Sequence, residues 1–288
     1  MRLFNKTFIL FGLLLTISVA SGAADTLKID LTYKYKLDSA GHTSGRTVVH
    51  QKLHTSDGRL FREISFNETT GQISGYVFYF YRNDRIFTKE YYDQKDSLLY
   101  ILKYDYDEAG NNTVITRLIP GGSGLITAEK TVKKFSTIKE PVQEIVYYGK
   151  KAGTTKRYLY SAAGLLQQET SKFKPLSKSL NRQLTRQYSY FPDGKVNLVL
   201  VSGVDDQGKS FGYREEYLYD SSGRLYQVKT TGAGNESVGR REYSYITGTV
   251  ISIYKEFNAK GIVTMVLEYD YKKHNMEPGT QVSRYEDF

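Results

Sequence analysis

Tyr217-Leu218-Tyr219-Asp220-Ser221-Ser222-Gly223-Arg224-Leu225 is the stretch that decides how this chain folds. In an extended strand, residues two apart share a face, so Tyr217 and Tyr219 stand side by side while Leu218 points the other way. Asp220 suits the first position of a type I turn, where its carboxylate accepts backbone N–H bonds. Gly223 suits the left-handed position that follows, which a side chain with a Cβ disfavours. With Ser221 to Gly223 as a three-residue loop, Asp220 faces Arg224 and Tyr219 faces Leu225 across a hairpin.

The same chemistry recurs along the chain. Tyrosine pairs at spacing two appear at Tyr104/Tyr106, Tyr158/Tyr160, Tyr188/Tyr190, Tyr243/Tyr245 and Tyr269/Tyr271, and the last four starts, from Tyr188 on, are 29, 26 and 26 residues apart. The 54-residue gap from Tyr104 to Tyr158 fits one degenerate copy. A fixed period of this kind means a stack of one supersecondary unit. If the Tyr219–Leu225 pairing is general, an aliphatic residue should follow each turn glycine by two places. Leu60, Leu166, Val196, Val250 and Val263 do so after Gly58, Gly164, Gly194, Gly248 and Gly261, whereas Gly110 is followed by Asn112. Asp107, Gly110, Gly164, Gly194, Asp220, Gly223 and Gly261 are therefore read as turn residues.

Further turns at Gly71, Gly121-Gly122, Gly208 and Gly232-Ala233-Gly234 place chain reversals every 12 to 16 residues. That spacing predicts an all-β, antiparallel meander of roughly 14 to 16 strands, too long to stay flat, and so curled or split into two sheets. Pro141 and Pro175 interrupt the pattern. The expected organisation is a leader over 1–23, a first β segment over 24–135 and a tyrosine-repeat segment over 136–288, or one continuous domain over 24–288.

The Tyr-x-Tyr-Asp-x-x-Gly-Arg-Leu pattern resembles the YD repeat of bacterial Rhs and related wall-associated proteins. The resemblance spans most of residues 100–271, is best at Tyr217 to Leu225 and next best at Tyr104 to Gly110. It implies hairpins stacked into a long β-strip that curls around its contents or serves as an extended adhesive surface. The chain is far shorter than the toxin-enclosing Rhs shells, and it has neither the Asp-Pro of their self-cleaving core nor a carboxy-terminal toxin segment. Their toxin function does not carry across.

Arg2 and Lys6 precede an apolar run from Thr7 to Ala20, followed by small residues that allow cleavage after Ala20 or Ala23. This reads as a secretory signal peptide, so the expected location is exported: periplasmic, associated with the outer envelope, or secreted. The chain has no cysteine, which excludes a disulfide framework and thiolate metal sites, and burial and pairing must stabilise it. Twenty-six tyrosines and 25 glycines with five prolines suit short strands joined by tight turns.

Charge is concentrated in the middle. Residues 131–187 hold twelve basic side chains against Glu140, Glu144 and Glu169, a local net charge of +9 out of the whole chain's +9. Lys156, Arg157, Lys172, Lys174, Lys178, Arg182 and Arg186, with Tyr158 and Tyr188 beside them, form the candidate binding set for an anionic partner. The plainer reading is a solvated lysine-rich surface that keeps strand edges apart.

No nucleophile elbow, phosphate loop or zinc-protease helix motif is present. Asp205-Asp206 and Glu215-Glu216 are adjacent pairs whose members point to opposite faces of a strand, unlike a glycosidase acid and nucleophile. His50 and His54 lie about 13 Å apart on an extended strand, too far to share one metal ion. No enzyme activity, cofactor or metal is expected. The leading expectation is a non-catalytic exported repeat protein whose β-sheet surface binds an anionic polysaccharide, a lipid head group or an acidic envelope protein. An alternative is an assembly component that binds an envelope protein through an exposed sheet edge. An outer-membrane barrel ranks last, because Arg284, Glu286 and Phe288 alternate on the face that would meet lipid and no apolar outward face repeats. Nucleic acid is not an expected partner of an exported chain.

Overall fold

A hairpin leaves a row of unpaired N–H and C=O groups on each outer edge, and stacked hairpins satisfy them by pairing with one another. The computed structural model describes residues 26–174, 182–205, 207–248 and 250–275; the leader, Pro175, Lys178 and Phe288 lie outside the described residues. Eighteen strands follow in order. The first nine are β1 (Thr26–Leu37), β2 (Thr43–His54), β3 (Leu60–Phe66), β4 (Ile73–Arg82), β5 (Arg85–Asp93), β6 (Leu98–Tyr106), β7 (Asn112–Gly121), β8 (Gly124–Phe135) and β9 (Pro141–Tyr148). The second nine are β10 (Lys151–Tyr160), β11 (Leu166–Phe173), β12 (Arg182–Tyr190), β13 (Val196–Val204), β14 (Ser210–Tyr219), β15 (Leu225–Gly232), β16 (Ser237–Tyr245), β17 (Ile251–Asn258) and β18 (Val263–Asn275).

Every strand pairs antiparallel with the next, and β1 also pairs with β18 over Thr26↔Asn275 to Lys34↔Leu267. The sheet closes on itself. This corrects the expected curled or split strip of 14 to 16 strands: the fold is all-β, but it is a closed barrel of 18. The physical reason is that closure alone removes both edges of a long meander. The strand count rises because some reversals use no glycine. Asn83 and Asp84 take left-handed angles of φ +49° and +59° in a two-residue hairpin, and Asp96 and Lys139 do so alone at +62° and +64°.

The hairpin chemistry is visible in detail at Gly223. Its φ is +74°, its N–H donates to the Asp220 carbonyl at 2.9 Å, and the Asp220 N–H donates to the Arg224 carbonyl at 2.8 Å. Tyr219 faces Leu225 across a bulge. The degenerate copy in the 54-residue gap is Phe135, which faces Pro141 in the same way, with Lys139 in the place of the glycine. The expected boundary at 135/136 thus lies at the hairpin between β8 and β9.

Eight of the turns, including those at Gly58, Gly110, Gly164, Gly194 and Gly223, lie on the rim where the two ends of the described chain also meet; Gly261 lies on the far rim. On the first rim the second tyrosine of six copies donates its hydroxyl to a carbonyl on the neighbouring strand. Tyr81 reaches Leu60 O, Tyr106 Ile86 O, Tyr160 Pro141 O, Tyr190 Leu166 O, Tyr219 Val196 O and Tyr245 Leu225 O, all within 2.6–3.1 Å. Each acceptor is itself the residue that faces the preceding copy's aromatic or histidine side chain. The aliphatic residue after the turn therefore links one copy to the next. Asn112 replaces it after Gly110 and turns its amide to the Asp105 and Val114 carbonyls at 3.2 and 3.3 Å.

A tyrosine-lined lumen as the candidate functional site

Closure gives the wall an inner and an outer face, and register decides which residues share each. Tyr158, Glu169, Arg186, Val201 and Tyr213 face one another in sequence across β10 to β14. Tyr217, Val228, Arg241 and Glu256 do the same across β14 to β17. A hollow of about 600 Å³ identifies this face as the inner one around the seam, since Leu267, Thr32, Lys52, Glu63, Val77, Tyr91 and Tyr100 reach it from strands β18 and β1 to β6. In the other half, Arg241 on β16 reaches over β15 to Glu215 on β14 at 2.8 Å along this same face. A ring of eighteen strands is too wide for side chains to fill, so a lumen remains.

Carboxylates, tyrosines and cations alternate round this lumen. Glu63 accepts from the Tyr79 hydroxyl at 2.7 Å and lies 3.4 Å from Lys52. Glu144 lies between Lys133 and Lys156, at 3.9 and 3.5 Å. Glu169 is 3.5 Å from Arg186 and accepts from the Tyr188 hydroxyl at 3.4 Å. Glu215 accepts from Tyr217 at 3.2 Å as well as pairing with Arg241, and Glu256 accepts from Tyr254. These carboxylates neutralise inward cations, so the lumen is polar and aromatic without a strong single sign. Sequence reasoning missed the carboxylates as a set. Spacing marks only the position two residues before a repeat's first tyrosine, which carries Lys156, Arg186, Glu215 and Arg241 and must share its face, so of the carboxylates it gives Glu215 alone.

The candidate anionic-partner set does not form one surface. Lys156, Arg186, Tyr158 and Tyr188 point into the lumen, where the two cations are ion-paired. Arg157 and Lys172 lie on the outer face, Lys174 and Arg182 are exposed beside the β11–β12 connection, and Lys178 is outside the described residues. His50 and His54, weighed as ligands, go to different partners: Ser65 Oγ for His50, and Asp30 Oδ2 and the Gly58 carbonyl for His54. The outer face of β10 to β17 carries Arg157, Lys172, Arg214, Glu216, Lys229, Arg240, Glu242 and Lys255.

No protein-family model matches the chain, and no curated protein sequence matches it. Among solved structures, it is similar to a porin-like protein from Bacteroides uniformis, at 11% identity and TM-score 0.43, over 85% of this chain and 96% of that one. A porin-like protein from Bacteroides vulgatus is similar at 9% identity and TM-score 0.38, over 85% and 97%. The chain is also similar to part of the TcdB2-TccC3 toxin structure, at 10% identity and TM-score 0.33, covering 81% of this chain but only 16% of that one.

The expectation of a surface binder is corrected by the geometry. Closure leaves no free sheet edge among the described strands, which removes the edge-pairing alternative. It also divides the basic segment between two sides of a wall, which removes the continuous cationic sheet surface. The barrel that the sequence ranked last is the architecture observed.

Proposed function

We propose that this chain is a porin-like barrel of the bacterial envelope, non-catalytic, whose working surface is its lumen, a water-filled passage for polar solutes. The closed ring of eighteen antiparallel strands carries this reading. Spanning barrels of bacterial single chains have an even strand number and a polar interior. An inner face of tyrosine, glutamate, lysine and arginine suits solutes that carry hydroxyls. The export signal expected over residues 1–23 suits the same location.

One observation favours a second reading, in which the barrel stands in water and encloses its solute. The eight charged side chains on the outer face of β10 to β17 are the reason. On a lipid-facing wall each Lys or Arg costs about 2–4 kcal/mol at the bilayer midplane, falling to near zero at the interface. The two readings share the lumen and differ in the medium outside it. Carbonate extraction of envelopes, followed by planar-bilayer recording of the purified protein, separates them. Retention in the membrane with discrete conductance steps supports the pore. Release into the soluble fraction with no conductance contradicts it and leaves the water-surrounded container.

A further inference from the structure

The outer wall is not alike all the way round. We propose that the barrel is sided: it meets the acyl chains of a bilayer through one aromatic face on β3 to β5, and the charged outer face of β10 to β17 is turned from lipid. This goes beyond the reading of the lumen, since the wall decides it whatever the lumen carries.

Glu63, Val77 and Tyr91 face one another on the lumen side of β3 to β5, so their neighbours along each strand point outward. Those neighbours are largely aromatic. Tyr76 stacks on Tyr92 at 5.2 Å and meets Phe78 edge-on at 5.5 Å, and Phe78 lies 6.4 Å from Phe80, which is 44% exposed. The three β4 rings climb one strand over roughly 13 Å, at about 3.3 Å per residue, whereas the aromatic girdles of a barrel ringed by lipid circle the wall at its two interfaces. The charged members of this face, Arg62 and Glu90, are engaged. The Arg62 guanidinium lies 4.6 Å over Tyr76 and 5.1 Å over Phe78, and Glu90 accepts from the Tyr92 hydroxyl at 2.7 Å. Rings that bury their bodies in acyl chains while their polar tips stay bonded suit the edge of a bilayer's hydrocarbon.

Across the ring the chemistry inverts. β13 stands nine strands from β4 in a ring of eighteen, and its outward Leu200, 45% exposed, is flanked by Gln187 and Arg214. On the same side Lys229 and Lys255 enter no ion pair among the described residues, and an unpaired ammonium is costly in hydrocarbon. A conducting barrel of this kind therefore has its charged arc against protein, not lipid.

The chain has no tryptophan, so one introduced indole reports its own surroundings. Phe80→Trp and Leu200→Trp of the full chain are each mixed with phosphatidylcholine vesicles by detergent removal, floated, and read for emission with plain and with brominated acyl chains. Brominated lipid should quench Phe80→Trp and leave Leu200→Trp unchanged, and Phe78→Trp, two residues along the same face, should follow Phe80→Trp. Quenching on both arcs overturns the sidedness while sustaining a pore ringed by lipid. Quenching of none of the three, quenching of Leu200→Trp alone, or failure of the wild-type chain to float with the vesicles also overturns it. One-sided quenching sustains the sided wall whether or not bilayer recording shows conductance, so the wall and the pore fail separately.

Discussion

The seam arc around β1 to β4 and the repeat arc from β10 to β17 are built from opposite sides of one wall. In the repeat arc the most buried side chains, Ser171, Val199, Val201 and Val228, lie on the lumen face between tyrosines. In the seam arc they are Ile29, Leu53 and Ile64, which face away from the lumen and cluster with Phe66, Leu31, Val48 and Tyr76. Long side chains roof this outer cluster. Arg62 lies 4.6 Å over the Tyr76 ring and 5.1 Å over Phe78, Arg46 lies 4.0 Å over Tyr33, and Tyr35 donates to Glu268 at 2.6 Å. Repeats come together through local hairpins and the tyrosine links at the rim. The seam joins strands from opposite ends of the chain, so it must recover a large loop-closure entropy, and an extra apolar cluster supplies burial there.

That comparison predicts unequal costs for comparable truncations. Leu53→Ala, at 1% exposure, should destabilise by about 2–5 kcal/mol in guanidinium unfolding. Val228→Ala, equally buried but on the lumen face, should cost roughly 1–2 kcal/mol, at about 0.8 kcal/mol per group removed. Equal costs per carbon removed would mean that the seam has no special burial. Gly223→Val should cost about 1 kcal/mol or more, because a β-branched residue is poor at φ +74°. No change in the unfolding midpoint would remove that turn geometry.

The rim links should come next. Tyr245→Phe deletes the 2.6 Å bond to the Leu225 carbonyl and should cost about 1 kcal/mol. Tyr217→Phe should cost less, since Glu215 keeps Arg241 at 2.8 Å. The reverse order would locate the stabilising tyrosines in the lumen instead of at the rim. The smallest effect is acid dependence from the turns. The backbone N–H of Arg224 holds the Asp220 carboxyl below its ordinary value of 3.8, and the side chain of Arg59 holds Asp57 down at about 2. A depressed folded-state value stabilises the fold above the ordinary carboxylate range, and that contribution is lost as pH falls through the folded value. Asp220→Asn should therefore flatten the loss of thermal stability between about pH 4 and pH 2. An unchanged pH profile would mean that the turn carboxylate contributes nothing.

The hairpin was legible in the sequence because its causes are local. Asp220, Gly223 and Leu225 lie within six residues, and each has one conformation that suits it. Turns without glycine, at Asn83-Asp84, Asp96 and Lys139, were not legible from the glycine pattern, which is why strands were undercounted. Closure was illegible for another reason. Leu31 and Asp270 become partners only when the whole sheet has coiled, and neither residue type signals the other. The lumen was half legible, since the pairing of Lys156 with Tyr158 and Arg186 with Tyr188 on one face was readable from spacing. The neutralising Glu144 and Glu169 come from neighbouring strands, whose register spacing does not give.

Closure is the central claim, and the absence of cysteine makes it directly measurable. Leu31→Cys with Asp270→Cys places two thiols on facing positions of β1 and β18, and Leu218→Cys with Gln227→Cys does the same within one hairpin. Under mild oxidation with copper phenanthroline, both pairs should form an intramolecular disulfide, seen as a monomer of altered mobility on non-reducing gels. If the hairpin pair cross-links while the seam pair stays reduced or joins only separate molecules, the sheet is an open strip and the lumen does not exist.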